Sequence, residues 1–375
     1  MGLPENGTKR VMKKYNIAVI EGDGIGREVV PEGLRLLEAV GRKHDISFRW
    51  EHFDWSCERF LKTGRMMPED GIAQLRGSDA IFLGAVGYPG VPDHVSLWGL
   101  LIPIRRAFQQ YVNLRPARLL RGVESPVRNF QAGEIDLYVV RENNEGEYSQ
   151  IGGRLYEKTP AEMAVQETVF TRRGCERVMR YAFELARTRK KHVTSATKSN
   201  GIVYTMPFWD ECFAAVGAEF NDVRRDQFHI DILTAHFVRH PDWFDVVVGS
   251  NLFGDILSDL SAAVVGSIGI APSANLNPER EFPSMFEPVH GSAPDIAGKG
   301  IANPVAQIWS GAMMLEHLGE TSAAVELEKA IEAVLAAEDP KTPDLGGNAT
   351  TRDVADAIGA EVARSAPASP QTAFG

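Results

Sequence analysis

Short apolar runs, each followed by a stretch of helical period, recur along this chain and limit what it can fold into. Residues 16–21 precede 27–43, residues 80–83 precede a loop and then 104–111, residues 136–140 form a run of their own, and 246–249 precede 256–265. Strand-like runs alternating with helices predict an α/β architecture. No internal repeat interrupts them, and 375 residues leave room for about two domains with substantial cores. After Gly152-Gly153, short β-like pieces lie among charged residues, a pattern that predicts a projecting arm around 150–170.

The formal net charge of -10 argues against a nucleic-acid partner, because phosphate contacts need concentrated positive charge. Cys57, Cys175 and Cys212 form neither a C-x-x-C pair nor an even framework, which predicts free thiols in a reducing compartment, the cytoplasm. No window approaches the roughly 20 apolar residues of a membrane span, so no membrane partner is expected. Residues 1–12 and 365–375 are polar or Pro-rich and are expected to be disordered.

Asp255 and Asp259 stand four apart, just after the apolar run 246–249. On a helix they share a face, where two carboxylates can grip a hard cation such as Mg2+ or Mn2+. The plainer alternative is an acid at a helix N-terminus and another on a wet face. In an acidic chain, Arg105, Arg115 and Arg141 are three guanidinium forks suited to a dicarboxylate, although each taken singly reads as a surface ion-pair residue. Tyr148 lies in a polar loop past a strand end, where a phenol can donate a proton. Lys198, in a run of small residues, is a candidate general base or a solvated loop lysine.

Two glycine-rich segments compete for a nucleotide. Gly22-Asp23-Gly24-Ile25-Gly26 follows a strand and precedes a helix, but its third glycine comes one residue early for a dinucleotide fingerprint, with Arg27 in the required place. Residues 285–304 carry too many breakers for regular structure. Their backbone amides can wrap a nucleotide, and Asp295 can accept from ribose hydroxyls and would repel a 2'-phosphate, which favours NAD over NADP. An ordinary long loop is the alternative.

Taken together, GDGIG at 22–26, NLRP at 113–116, VVREN at 139–143, TKSN at 197–200, NLFGDILSD at 251–259, EPVHGSAPDIAGKGIANP at 287–304 and TPDLGGNAT at 342–350 resemble the β-decarboxylating dehydrogenases of the isocitrate and isopropylmalate type, over residues 16–358. Within that family the chain is most similar to the tartrate and D-malate branch. The resemblance implies a two-domain fold with one continuous mixed sheet flanked by helices and the site in the interdomain cleft. A cofactor domain of 1–109 plus 267–364 would face a substrate, metal and dimerisation domain of 110–266. It implies that Arg105, Arg115 and Arg141 hold the substrate carboxylates and that Asp255 and Asp259 bind Mn2+ or Mg2+. Asp231 and Lys198 would come from the partner subunit of a homodimer. NAD would lie on Glu287, His290, Gly291, Ser292, Ala293, Asp295, Ile296 and Asn303, with K+ as a further ion to test.

The implied chemistry is oxidation of a 2-hydroxy dicarboxylate, with Lys198 taking the hydroxyl proton, followed by loss of the β-carboxylate and protonation of carbon by Tyr148. Residues 96–104 lack the serine-asparagine pattern of isocitrate enzymes, whereas their leucines can greet an isopropyl group and keep 3-isopropylmalate as the alternative substrate. A metal-dependent lyase without nicotinamide and a noncatalytic nucleotide-binding module use the same residue types.

Overall fold

Ile17, Ala18, Val19 and Ile20 are all fully buried, so the first apolar run is an interior strand covered on both faces. The computed structural model describes residues 12–365. Its strands are β1 (Lys13–Gly22), β2 (Ile46–His52), β3 (Ala80–Ala85), β4 (Val112–Arg118), β5 (Asp136–Glu142), β6 (Gly152–Leu155), β7 (Met163–Gln166), β8 (His192–Thr197), β9 (Arg224–His229), β10 (Val246–Gly249), β11 (Pro272–Leu276) and β12 (Ser284–Pro288). Ten of them form one sheet in the order β2-β1-β3-β12-β11-β4-β5-β10-β8-β9.

That sheet has two parallel wings and an antiparallel centre. One wing pairs β1 with β2 and β3, and β3 with β12; the other pairs β5, β10, β8 and β9. Between them β12, β11, β4 and β5 run antiparallel in succession. The first wing takes its strands from both chain ends and the second from the middle, so the centre is where distant parts of the sequence meet. Ile17 and Val19 join the core cluster that also holds Val139 and Val247, whereas Ala18 and Ile20 join a second cluster with Leu83 and Phe108. Period-2 alternation thus fills both faces of β1, and full burial of each Ile or Val side chain contributes about 1.5–3 kcal/mol.

The helices Gly26–Lys43 and Val305–His317 pack on the first wing with Thr321–Ala336 and Thr351–Arg364 stacked against them, and Arg172–Arg187, Ile230–Arg239 and Asn251–Val264 pack on the second. Outside the sheet, β6 and β7 pair antiparallel, with every residue of both strands exposed. Disorder expected for 1–12 and 365–375 concerns residues outside the described range, Met12 and Ser365 excepted; Ser365 is held by Lys43 and by Glu326, the latter bond at 2.6 Å.

Three expectations need correction. The helix expected at 104–111 spans Ile102–Ala107, because Gln109 takes a left-handed φ of 47° and β4 starts at Val112. The helix expected from residue 256 begins at Asn251, since Ser250 accepts from the Phe253 N–H as its N-cap. Within 285–304, expected to be irregular throughout, residues 285–288 belong to the fully buried strand β12.

Candidate active site

With its start at Asn251, the helix after β10 places residues 251, 255, 258 and 259 on one face. Asp255 and Asp259 fall in its second and third turns, and its first turn holds no acid. Attraction to the helix N-terminus therefore does not account for Asp255. Gly254 lets this helix press against β5, for a Cβ there would stand 2.5 Å from the Cβ of Arg141.

Arg141 lies in β5 itself and is buried. Its Nε and Nη2 donate to Asn251 Oδ1 at 3.1 and 2.7 Å, and its Nη1 pairs with Asp255. Arg115, from β4, donates to Ser258 Oγ at 2.6 Å and to Asp259 Oδ1 at 2.9 Å. The Tyr148 hydroxyl donates to the other Asp255 oxygen at 2.9 Å, under the Arg141 guanidinium. From the opposite wing, Arg105 donates to Glu287 Oε1 at 2.8 Å, an oxygen that also accepts from Asn275 at 2.7 Å.

These contacts set the charge states. Burial pulls the Arg141 guanidinium down to about 10, against the support of Asp255. Burial pushes Asp255 up, but Arg141, Arg115 and the Tyr148 hydroxyl outweigh it and hold the carboxyl below its ordinary value. Asp259 moves the other way, raised by burial and by Asp255 despite Arg115. Burial and then the Asp255 charge raise the Tyr148 phenol, which keeps its proton at neutral pH and can act as a donor.

Arg105, Arg115, Arg141, Tyr148, Asp255, Glu287, His290 and Gly291 line one open cleft of about 200 Å3, and Leu97 and Leu101 give it an apolar wall. Val86 and Gly291 continue into a groove of about 610 Å3, where Ser292 and Ala293 meet residues 87–93. Asp295 and Ile296 follow on a turn, exposed and half-buried respectively. Asn303 is buried, donating to Asp344 at 3.1 Å and accepting from the Val305 N–H at 3.0 Å.

Lys198 and Asp231 are not in this cleft. Lys198 follows β8 and its Nζ meets Asp231 Oδ1 at 2.8 Å, and no ion pair joins Lys198 to Asp255 or Asp259. Among the described residues no three His, Cys, Asp or Glu side chains come together as a metal cage. One chain thus supplies two carboxylates on a helix face and a separate lysine-aspartate pair. The donor set fits a hard divalent cation as a half-site. For a dinucleotide, the fit rests on the groove and on the buried His290 Nε2, which has no hydrogen-bond partner, while its Nδ1 lies 3.0 Å from the Gly291 carbonyl. Desolvation keeps that imidazole neutral.

Sequence reasoning missed Asn251 and Ser258, which orient Arg141 and Arg115, and Glu147, whose carboxylate accepts from Ser250 Oγ at 2.7 Å and the Leu252 N–H at 3.0 Å. Ser250 was the available signal: taken as an N-cap, it puts Asn251 and Ser258 on the aspartate face.

The chain matches the isocitrate/isopropylmalate dehydrogenase family over residues 16–358. It is 58% identical over 356 residues to D-malate dehydrogenase [decarboxylating] of Escherichia coli (strain K12), covering 93% of this chain and 98% of the relative. It is 56% identical over 359 residues to tartrate dehydrogenase/decarboxylase of Pseudomonas putida, with 93% and 98% covered. Among solved structures, isocitrate dehydrogenase from Methylococcus capsulatus superposes with a TM-score of 0.84 at 36% identity, covering 93% of this chain and 99% of that one.

Proposed function

Because this chain belongs to the isocitrate/isopropylmalate dehydrogenase family, we propose that it oxidises a small 2-hydroxy dicarboxylate, D-malate or tartrate, with NAD and Mn2+ or Mg2+, and decarboxylates the β-keto acid formed. The observation that carries this reading is the single cleft in which three arginines, a protonated phenol, Asp255 and the His290-Gly291 edge of the nucleotide groove converge. Family membership makes the chain an oxidoreductase acting on CH–OH. The choice of substrate, cofactors and assembly is the proposal.

Arg105, Arg115 and Arg141 bind the substrate carboxylates, each fork replacing an acid it now faces. Asp255 and Asp259 would hold the cation, and residues 290–293 the nicotinamide cofactor. Bound there, the cation supplies a Lewis acid at the 2-hydroxyl and the cofactor a hydride acceptor. Lys198 takes the hydroxyl proton. Tyr148 returns a proton to carbon after CO2 leaves, a role its raised phenol suits. Asp231 and Lys198 reach the aspartates of a second copy, which makes the homodimer the complete site. The exposed apolar side chains of Val203, Tyr204, Ile232 and Ile256 support such an assembly.

Leu97 and Leu101 in the cleft wall favour one second reading, 3-isopropylmalate as substrate. Following NADH absorbance with D-malate, the tartrate stereoisomers, 3-isopropylmalate and isocitrate, with and without Mn2+, Mg2+ and K+, ranks the candidates. D-malate or a tartrate is expected to lead. Absence of NADH with all of them would refute the dehydrogenase reading, and CO2 released without NAD would point to a lyase instead.

A further inference from the structure

Arg105 and Arg106 are neighbours on the helix Ile102–Ala107 but serve different surroundings. Arg105 bonds Glu287, whereas Arg106 Nη2 donates to the Tyr148 carbonyl at 2.9 Å and its Nη1 to Gln150 Oε1 at 3.3 Å. The Arg106 guanidinium also lies 5.0 Å from the centre of the Trp98 ring. Among the described residues no carboxylate comes within ion-pair distance of it, and burial depresses its hold on the proton. A half-buried cation whose direct contacts are a carbonyl, an amide and a π face, with the Glu142 carboxylate acting on it only from beyond ion-pair distance, is poorly explained as surface charge. A planar guanidinium can donate in its plane and stack through its face at once, which an ammonium cannot.

The two parts it joins both bear on the cleft. Trp98 sits in the π-helical turn Leu97–Leu101, closed by the Ile102 N–H onto the Leu97 carbonyl five residues back. Pro103 follows without an N–H to restore ordinary helical bonding. Leu97 and Leu101 of that turn line the cleft together with Tyr148.

We propose that Arg106 is a positioning residue, tying the Trp98 turn to the Tyr148 loop and thereby setting how closely the Leu97 and Leu101 wall and the phenol stand around the substrate. The kinetic side of this inference rests on the dehydrogenase reading above, and its structural side does not.

Both sides are tested with Arg106→Met, which keeps the stem and drops the fork, and Arg106→Lys, which keeps the charge. In protein labelled with 5-fluorotryptophan, the Trp98 fluorine signal is identified by its loss in Trp98→Phe; it is expected to shift or broaden in Arg106→Met. For D-malate, kcat/KM should fall about 10- to 100-fold, and the D-malate to 3-isopropylmalate ratio should change about tenfold as the wall loosens. Arg106→Lys should recover turnover through the Tyr148 carbonyl while leaving the ratio disturbed, because Trp98 remains unstacked. An unchanged Trp98 signal, or an equal loss on every substrate with the ratio intact, would overturn the proposal. Should Arg106→Met fail to fold, Arg106→Lys carries both readouts. Wild-type inactivity on every 2-hydroxy dicarboxylate would count against the reaction, and the fluorine signal would still decide the tie.

Discussion

The two glycine-rich loops look alike on paper and do opposite work in space. In the first, Gly24 has a left-handed φ of 54° and a Cβ there would stand 2.0 Å from the Ser292 carbonyl oxygen. Its Asp23 is buried and accepts from the backbone N–H groups of Cys57 at 3.0 Å, Gly87 at 3.2 Å and Glu58 at 3.4 Å. In the second loop Gly291, Gly298 and Gly300 meet nothing within 4 Å. The first loop spends its glycines and its acid on the protein's own backbone; the second leaves its surface open and contributes to both the cleft and the groove. A glycine motif is thus assigned by what its absent side chains would strike, which spacing alone does not reveal.

The largest test of this contrast is Gly24→Val. A β-branched residue at that φ, driven into a backbone carbonyl, is expected to lower the unfolding free energy by about 4 kcal/mol, read as a fall in the urea midpoint or as loss of folded protein. A midpoint within error of the wild type would mean that the loop is free to move and that its glycines are not structural. Asp23→Asn is expected to cost less, about 2 kcal/mol, because the amide retains one acceptor and loses the charge-assisted bonds to three N–H groups. Should Asp23→Asn leave stability untouched and raise the KM for NAD, the first loop would be a cofactor loop after all.

The same contrast explains what the sequence could disclose. Val246–Gly249 was legible to its ends because a buried parallel strand is an unbroken apolar run. Strands β4, β11 and β12 were not, since Asn113, Pro272, Asn275 and Glu287 interrupt any apolar run. In the fold the polar side chains among them bond one another across the sheet, Asn113 Nδ2 donating to Ser273 Oγ at 2.8 Å and to Asn275 Oδ1 at 3.1 Å. At the site, the Asp255 and Asp259 pair was visible as a helical spacing. Its contact with Tyr148, 107 residues away, and the Arg105 bond to Glu287, 182 residues away, are products of the sheet order, which no local pattern encodes.

The smallest expected change in stability is the most telling one for the second loop. Gly291 has no left-handed φ and open space where a Cβ would go, so Gly291→Ala should alter the unfolding free energy by less than about 0.5 kcal/mol. The added methyl would nevertheless stand where the 200 Å3 cleft continues into the 610 Å3 groove. If the nicotinamide cofactor crosses that junction, the methyl displaces it, and the KM for NAD should rise about tenfold, equivalent to about 1.4 kcal/mol of binding. If the arginines hold the hydroxy acid as proposed, its KM should move far less. An unaltered KM for NAD beside unaltered stability would remove Gly291 from the cofactor path and leave His290 Nε2, buried without a hydrogen-bond partner, as the remaining mark of a nucleotide there.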